Sequence, residues 1–384
     1  MIYDAVIVGG GLVGLAMAAA LQRGSLKIAL VESREPDLAP PAAWDTRVYA
    51  ISPGSRKFLS EIGVWQYLDV SRTAPIVRME VHGDAGGMIA FDAFDTGNSE
   101  LALIVEDSAL RRALWQAIAA TATLGTFMPA QPRRLERGDD CARLLLENGE
   151  MIESRLLIGA DGSDSWLRHA AGIASTTRPY AAEGLVANFR VEHSHRGIAR
   201  QWFRGDSVLA WLPLPDQQIS IVWATPSGRK LGALSPEELA QTVSAAGSNE
   251  LGALTLVNKP ALFPLQLLRV PAPIGERIAL IGDAAHGVHP LAGQGVNLGF
   301  LDAAALAEQL NQATARPDCG HAGLLRHYAR ARKLDVLAMQ LATHGLQKLF
   351  ERPHSLLREV RNRGLDVTDS QGWLKALFVR HAFG

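Results

Sequence analysis

The stretch YDAVIVGGGLVGLAMAAALQRGSLKIALVE, Tyr3–Glu32, decides the fold. Tyr3–Val8 is β-rich and largely apolar, the pattern of a buried strand. Gly9, Gly10 and Gly11 follow, and Gly14 completes the spacing Gly-x-Gly-x-x-Gly. Leu15–Gln22 predicts a helix and Lys27–Val31 a second strand, which ends at Glu32. A glycine fingerprint alone is weak. With a strand before it, a helix after it and an acid about 20 residues on, it is a dinucleotide-binding unit. Gly9 makes the turn, Gly11 admits a pyrophosphate to the backbone, and Gly14 lets helix and strand pack closely. Leu12 and Val13 lie between them as further candidate cofactor contacts, and Glu32 is placed to accept hydrogen bonds from an adenosine ribose. The motif does not separate FAD from NAD. Ala5–Leu21 is short for a membrane span, and its consecutive glycines make a poor helix interior. No basic segment precedes it, which argues against a signal peptide.

Far along the chain, Gly282–Asp302 reads GDAAHGVHPLAGQGVNLGFLD. It follows an apolar run, Arg277–Ile281, predicted to be a buried strand, and leads into a helix predicted over Asn297–Gln309. Between them Gly287, Pro290, Gly293 and Gly295 turn the backbone tightly enough for a ligand to come close. Asp283 stands at the strand exit, where a carboxylate can accept hydrogen bonds from ligand hydroxyls. The amides around Gly293–Asn297 open the helix, and its positive dipole end suits a group that is or becomes negative.

His289–Gly299, HPLAGQGVNLG, with Asp302 three residues on, resembles the signature of the ubiquinone-biosynthesis aromatic hydroxylases. These are FAD-dependent monooxygenases related in fold to para-hydroxybenzoate hydroxylase. The resemblance implies that Asp283 holds the ribityl chain of FAD. It also implies that Pro290, Gly293, Gln294, Gly295, Val296 and Asn297 lie along the isoalloxazine ring, with Pro290 and Gly293 at the reacting face. In Trp44–Ser52 an Asp-x-Arg segment leads into Ala-Ile-Ser, which matches the family and puts Arg47 near the flavin. Arg111, early in a helix predicted over Ala109–Ala120, matches a flavin-contacting position. Asp161 lies in Gly159-Ala160-Asp161-Gly162, which resembles the Asp-Gly motif linked to FAD and pyridine nucleotide. Arg168, just beyond, is expected to meet a phosphate or to pair with Asp161 or Asp164.

The expected fold is α/β: a three-layer, Rossmann-like FAD-binding domain, an interleaved mixed β-sheet domain for the substrate, and a helical C-terminal tail. Residues 1–70, 105–179 and 271–344 are assigned to the FAD domain, 71–104 and 180–270 to the sheet domain, and 345–384 to the tail. Turn-separated strands predicted over Leu185–Val191, Ala199–Phe203, Val208–Leu212 and Gln218–Trp223 carry this assignment. Trp202, Phe203, Trp211 and Trp223 within them are read mainly as sheet packing. The tail interleaves Lys348, Arg352, Arg361 and Arg363 with Leu349, Phe350, Trp373 and Phe378. It is read as an amphipathic helix on its own domain or as a peripheral membrane or partner contact.

With 384 residues, 48% hydrophobic and 20% charged, the chain is a globular protein with a large core. A formal charge of −1 gives no electrostatic case for nucleic acid. Cys141 and Cys319 form neither a metal pattern nor a disulfide framework, which fits a reducing, cytoplasmic setting. The resemblance implies hydroxylation of a polyprenylated phenol or quinone precursor by O2, with NAD(P)H or another reductase as electron donor. A quinone-biosynthesis enzyme complex and a contact with the inner face of the membrane through 345–384 are the implied partners. Tyr180 and His193 are candidate substrate bases, with no pattern to choose between them. A soluble-phenol hydroxylase, a prenyl reductase of the same fold and a flavin-bearing scaffold stay open as alternatives.

Overall fold

The computed structural model describes residues 1–39, 43–120, 124–288, 295–312, 318–351 and 362. The chain begins with β1 (Ile2–Val8), α1 (Leu12–Leu21) and β2 (Ile28–Val31). Next come β3 (Val48–Ile51), α2 (Pro53–Glu61), β4 (Thr73–Ile76), β5 (Arg78–His82), β6 (Met88–Asp92) and β7 (Ala102–Glu106). The α3 helix (Asp107–Ala119), β8 (Leu124–Phe127), β9 (Pro132–Arg137), β10 (Ala142–Leu146), β11 (Met151–Gly159) and α4 (Trp166–Ala170) follow. A strand-rich stretch holds β12 (Thr176–Val191), β13 (Ile198–Arg204), β14 (Ser207–Leu214) and β15 (Gln218–Thr225). After α5 (Gly228–Gly232) and α6 (Pro236–Ala246) come β16 (Leu254–Leu256), β17 (Ala261–Arg269), β18 (Ile274–Gly275) and β19 (Ile278–Leu280). Two long helices follow, α7 (Gly295–Gln312) and α8 (Ala322–Glu351).

The first sheet runs β18-β19-β11-β1-β2-β8, and the pairs from β19 through β8 are parallel. Parallel strands buried on both faces explain the unbroken apolar runs of β1 and β2. Ala5 and Ile7 face a helical layer that draws residues from α1, α3, α7 and α8. Val6 and Val8 face the β9–β10 hairpin and Leu167 of α4. Hairpin, sheet and helices are the three layers expected.

The second sheet runs β16-β12-β15-β14-β13-β5-β6, with β17 also on β12. It is mixed, because β13 and β5 pair in parallel while their neighbours are antiparallel. Trp202, Trp211 and Trp223 pack with Leu239 and Val243 of α6 on its outer face, as read from sequence. Its other face meets a small sheet, β3-β7-β4, through Ala199, Leu212, Leu214 and Val222. The α6 helix starts sharply because Ser235 and Glu238 form a reciprocal capping box ahead of Pro236.

The expected start of a separate tail at 345 falls inside α8, which continues to Glu351. Asn362 is anchored: its Oδ1 accepts from the amides of Ala85 and Gly87, each at 3.1 Å, beside the β5–β6 turn. The rest of 352–384 lies outside the described residues. No helix among them is long and apolar enough to cross a membrane.

Candidate active site

The exit of β1 forms a cradle that only glycine can build. Gly9 has φ +107°, and a Cβ there would lie 2.5 Å from the Ala160 carbonyl oxygen. A Cβ at Gly14 would strike the Gly9 carbonyl oxygen at 1.9 Å, so α1 rests against the turn beneath it. At Gly11 no atom lies within 4 Å of the added Cβ, and that edge is open. Gly11 caps α1 without a side-chain hydrogen bond, and no acid lies in the first turn. This is the wall a pyrophosphate needs: closed behind, open in front, with helix amides and their dipole facing it. The Glu32 carboxylate is fixed at one edge by the Gly10 amide at 2.5 Å and the Arg34 amide at 3.0 Å.

Val13 joins this cradle to the second glycine-rich segment. A Cβ at Gly299 of α7 would lie 2.5 Å from Val13 Cγ2, and one at Gly282 would lie 3.2 Å from it. Gly282 has φ +60°, and its turn presents Asp283 to the outside, exposed, beside the start of α1. Gly295 and Val296 begin α7 half-buried; His289, Pro290, Gly293 and Gln294 lie outside the described residues. Asn297 is buried, and its carboxamide spans to β3, accepting from the Ser52 amide at 3.1 Å and donating to the Ala50 carbonyl at 2.8 Å. Its side chain ties α7 to β3, so only its backbone is left for a cofactor.

Beneath the Asp283 turn lies a buried charged cluster. Asp302 Oδ2 accepts from the Gly282 amide at 3.0 Å and meets His286 Nε2 at 2.6 Å, while Oδ1 accepts from Arg332 Nε at 2.8 Å. Burial opposes charge on His286, but the adjacent Asp302 carboxylate outweighs it, and the imidazole pKa is raised. Burial likewise works against the Asp302 carboxylate, yet His286 and then Arg332 hold its pKa below the ordinary value. The sequence marks Asp302 as part of the family signature but does not pair it with His286. Arg332 was missed, because nothing local links it to a residue 30 positions earlier.

Arg47 and Arg111 come together through two residues the sequence did not single out. Arg47 lies over the Tyr49 ring at 5.2 Å, Tyr49 donates to Asp107 at 3.0 Å, and Arg111 donates to the other Asp107 oxygen at 2.9 Å. Burial raises the Tyr49 pKa, Arg47 opposes that shift, and Asp107 reinforces it, so the phenol stays protonated. The loop carrying Arg47 is pinned to both layers. Asp45 accepts from the Ser108 amide at 2.7 Å, and its carbonyl accepts from Asn188 Nδ2 of β12 at 2.8 Å. Behind it, Glu106 is fully buried and takes both Arg72 nitrogens at 2.7 Å.

Asp161 is turned inward to its own segment, accepting from Ser165 Oγ at 2.5 Å and the Leu167 amide at 3.0 Å. Arg168 departs from expectation. It is buried and donates to the carbonyls of Ala284 at 3.0 Å and Ser163 at 2.8 Å, not to an aspartate. It therefore braces the Asp283 turn from behind. Of the candidate bases, His193 is exposed in a turn, and Tyr180 sits 3.4 Å from His344 Nδ1 on α8. Among the described residues no group of His, Cys, Asp and Glu could hold a metal ion. Burial pushes the Cys319 thiol up to about 11, which makes it inert.

The FAD-binding-domain family model matches residues 2–342. The chain is 32% identical over 386 residues to a ubiquinone hydroxylase of Rhodospirillum rubrum, covering 100% of this chain and 90% of that protein. It is 33% identical over 382 residues to the 3-demethoxyubiquinol 3-hydroxylase of Escherichia coli, covering 98% and 97%. A probable FAD-dependent monooxygenase of Pseudomonas aeruginosa shares the fold, with TM-score 0.79 at 23% identity over 95% of this chain and 99% of that one. The glycine cradle fits FAD, and the chain belongs to the FAD-dependent aromatic hydroxylases that include the ubiquinone-biosynthesis monooxygenases.

Proposed function

We propose that this enzyme hydroxylates the aromatic ring of a polyprenylated phenol or quinone precursor in ubiquinone biosynthesis. The observation that supports this reading is the Arg47 loop, where Asp45 is bonded both to Ser108 at the start of α3 and to Asn188 of the second sheet. Reactant and cofactor layers joined this way keep a ring carbon in register with the flavin, which is where most of the rate gain from positioning arises. Flavin, when bound and reduced by NAD(P)H or another donor, supplies the activation of O2. The chain's own residues bind and orient it. Gly9, Gly11, Leu12, Val13 and Gly14 would hold the pyrophosphate and Glu32 the adenosine ribose. Asp283 would take the ribityl hydroxyls, and the Pro290–Asn297 segment, with Gly293, Gln294, Gly295 and Val296, would line the ring. Arg47, Arg111 and Asp161 complete the proposed cofactor set, Asp161 by shaping its turn.

Asp283 is the direct test of this set. Replacing it with Ala removes a charged acceptor worth about 1.5–3 kcal/mol, so FAD affinity should fall on the order of tenfold to a hundredfold. Unchanged affinity would take Asp283 out of the site. The substrate is tested by quinone-intermediate profiling in a deletion strain, combined with oxygen-18 incorporation by the purified enzyme. Failure to incorporate label from 18O2 into a phenolic ring would refute hydroxylation. We also propose that 345–384 makes a peripheral membrane contact, supported by its interleaved basic and apolar residues and by a lipophilic substrate. Charge reversal at Arg361 and Arg363 should weaken binding to anionic liposomes; undiminished binding of a folded variant excludes those charges.

A further inference from the structure

We propose that Gln201 is a specificity-determining residue that hydrogen-bonds an oxygen substituent on the substrate's aromatic ring. This rests on the phenol-hydroxylase reading above and adds to it the group that recognises the ring oxygen. Gln201 lies on β13 in a row of register partners that crosses the second sheet. It pairs with Val81 on one side and Ala210 on the other; Ala210 pairs with Val222, and Val222 with Val186. Every member of that row except Gln201 is a small apolar residue. Val222 packs toward β3, β4 and β7, so the row lies on the face turned to the small sheet that follows the Arg47 loop.

The position along the strands follows from Asn188, which donates to the Asp45 carbonyl next to Arg47. Val186 is two residues from Asn188, so the Gln201 row runs about 7 Å from the row that touches that loop. Gln201 is 5% exposed, and its Oε1 is buried without a hydrogen-bond partner. A buried carboxamide left unpartnered is costly, and native proteins retain few of them. Three other unpartnered atoms lie on this face: Asn188 Oδ1 and Ser220 Oγ in the row beside that loop, and Gln218 Oε1 one row beyond it, at the start of β15. Asn188 is already committed through its amide nitrogen to Asp45. Gln201 has no such tie, and its free acceptor suits a phenolic O–H, while its amide N–H groups suit a ring carbonyl or phenolate. An apolar row with one carboxamide, as here, is the composition expected for orienting an aromatic ring that carries few oxygens.

The test uses the FAD-loaded full chain and the variant Gln201→Met, which keeps side-chain length and removes donor and acceptor together. Binding of a prenylated phenol and of its O-methyl ether is read from the absorbance change of bound FAD. We expect the variant to retain FAD and to melt at the same temperature or higher, since it loses an unpartnered buried polar group. Phenol affinity should fall about three- to tenfold, and the preference for phenol over ether should collapse. Gln201→Glu, which keeps an acceptor oxygen, should retain that preference and serves if the first variant does not fold. Wild-type affinity and discrimination in Gln201→Met would overturn the proposal, as would a lowered melting temperature with discrimination intact. If the wild type bound FAD but ignored prenylated phenols, the substrate reading would fall. Gln201 would then be judged by the same discrimination between a simple phenol and its methyl ether.

Discussion

A methyl group added at Gly11 or at Gly14 meets opposite surroundings. At Gly11 it enters open space; at Gly14 it meets the Gly9 carbonyl oxygen at 1.9 Å. Gly14→Ala should therefore destabilise the apoprotein by about 1–3 kcal/mol, the usual cost of overpacking, and lose FAD as a consequence. Gly11→Ala should leave apoprotein stability within about 0.5 kcal/mol while weakening FAD, because only the ligand needs that space. Urea unfolding of both apoproteins, with FAD titrations, separates the two effects, and equal destabilisation would contradict the geometry. The buried cluster makes a second prediction. The raised pKa of His286 means its charge contributes stability fully below the unfolded value of about 6.5 and ceases to contribute as pH rises through the folded value. Asp302, with a lowered pKa, contributes above its unfolded value of about 3.9 and ceases to do so as pH falls through the folded one. Wild type should thus lose more stability than His286→Gln between pH 6 and pH 9 by denaturant titration. Parallel curves would place His286 outside this linkage. At this scale the glycines were legible because a fixed spacing encodes a backbone requirement. Arg168 was not, since the carbonyls that receive it, Ser163 and Ala284, stand on different segments.

Among the elements, α7 carries the most consequence because it is bonded across the sheet boundary through Asn297. Asn297→Ala would leave the Ala50 carbonyl and Ser52 amide unpaired in a buried site. We expect a loss of about 2–3 kcal/mol in the apoprotein, read by urea unfolding without FAD. A variant that lost FAD affinity alone, with apoprotein stability unchanged, would show that the side chain serves the cofactor instead. Strand and helix identities were largely legible, since β1, β2 and α7 carry clear apolar periods and glycine punctuation. Their limits were less so. The helix predicted from Asn297 begins at Gly295, and α8 runs through the assigned boundary at 345 to Glu351. A helix end depends on which carbonyls and amides find partners, and those partners are supplied by packing.

Over the whole molecule, the question is whether the two sheets respond to FAD as one. The Asp45–Asn188 bond and the Thr46–Asn258 bond at 3.2 Å join the cofactor layer to the second sheet. FAD at a free concentration of 100 Kd should stabilise the native state by about 2.7 kcal/mol, and removing it should reverse the gain. If the layers open together, amide exchange in β14 and β15 should slow by roughly a hundredfold in the exchange regime that reports stability. Protection confined to β1, β2 and β11 would mean that the sheet opens independently of the cofactor domain.

By itself the sequence determined the dinucleotide-binding unit, the glycine-rich segment after β19, the alternation of layers and the family. These features are local: a spacing or an apolar period specifies the backbone wherever the segment is placed. The tertiary structure alone decided what the polar side chains do. The Asn297 side chain and Arg168 are committed to backbone groups of other segments, Tyr49 and Asp107 came to link Arg47 with Arg111, and Asp302 gathered His286, Arg332 and the Gly282 amide. Gln201 was left with an unpartnered acceptor in an apolar row. The reason is that a buried hydrogen bond depends on where two distant segments meet, and that meeting is set by the packing of the whole core.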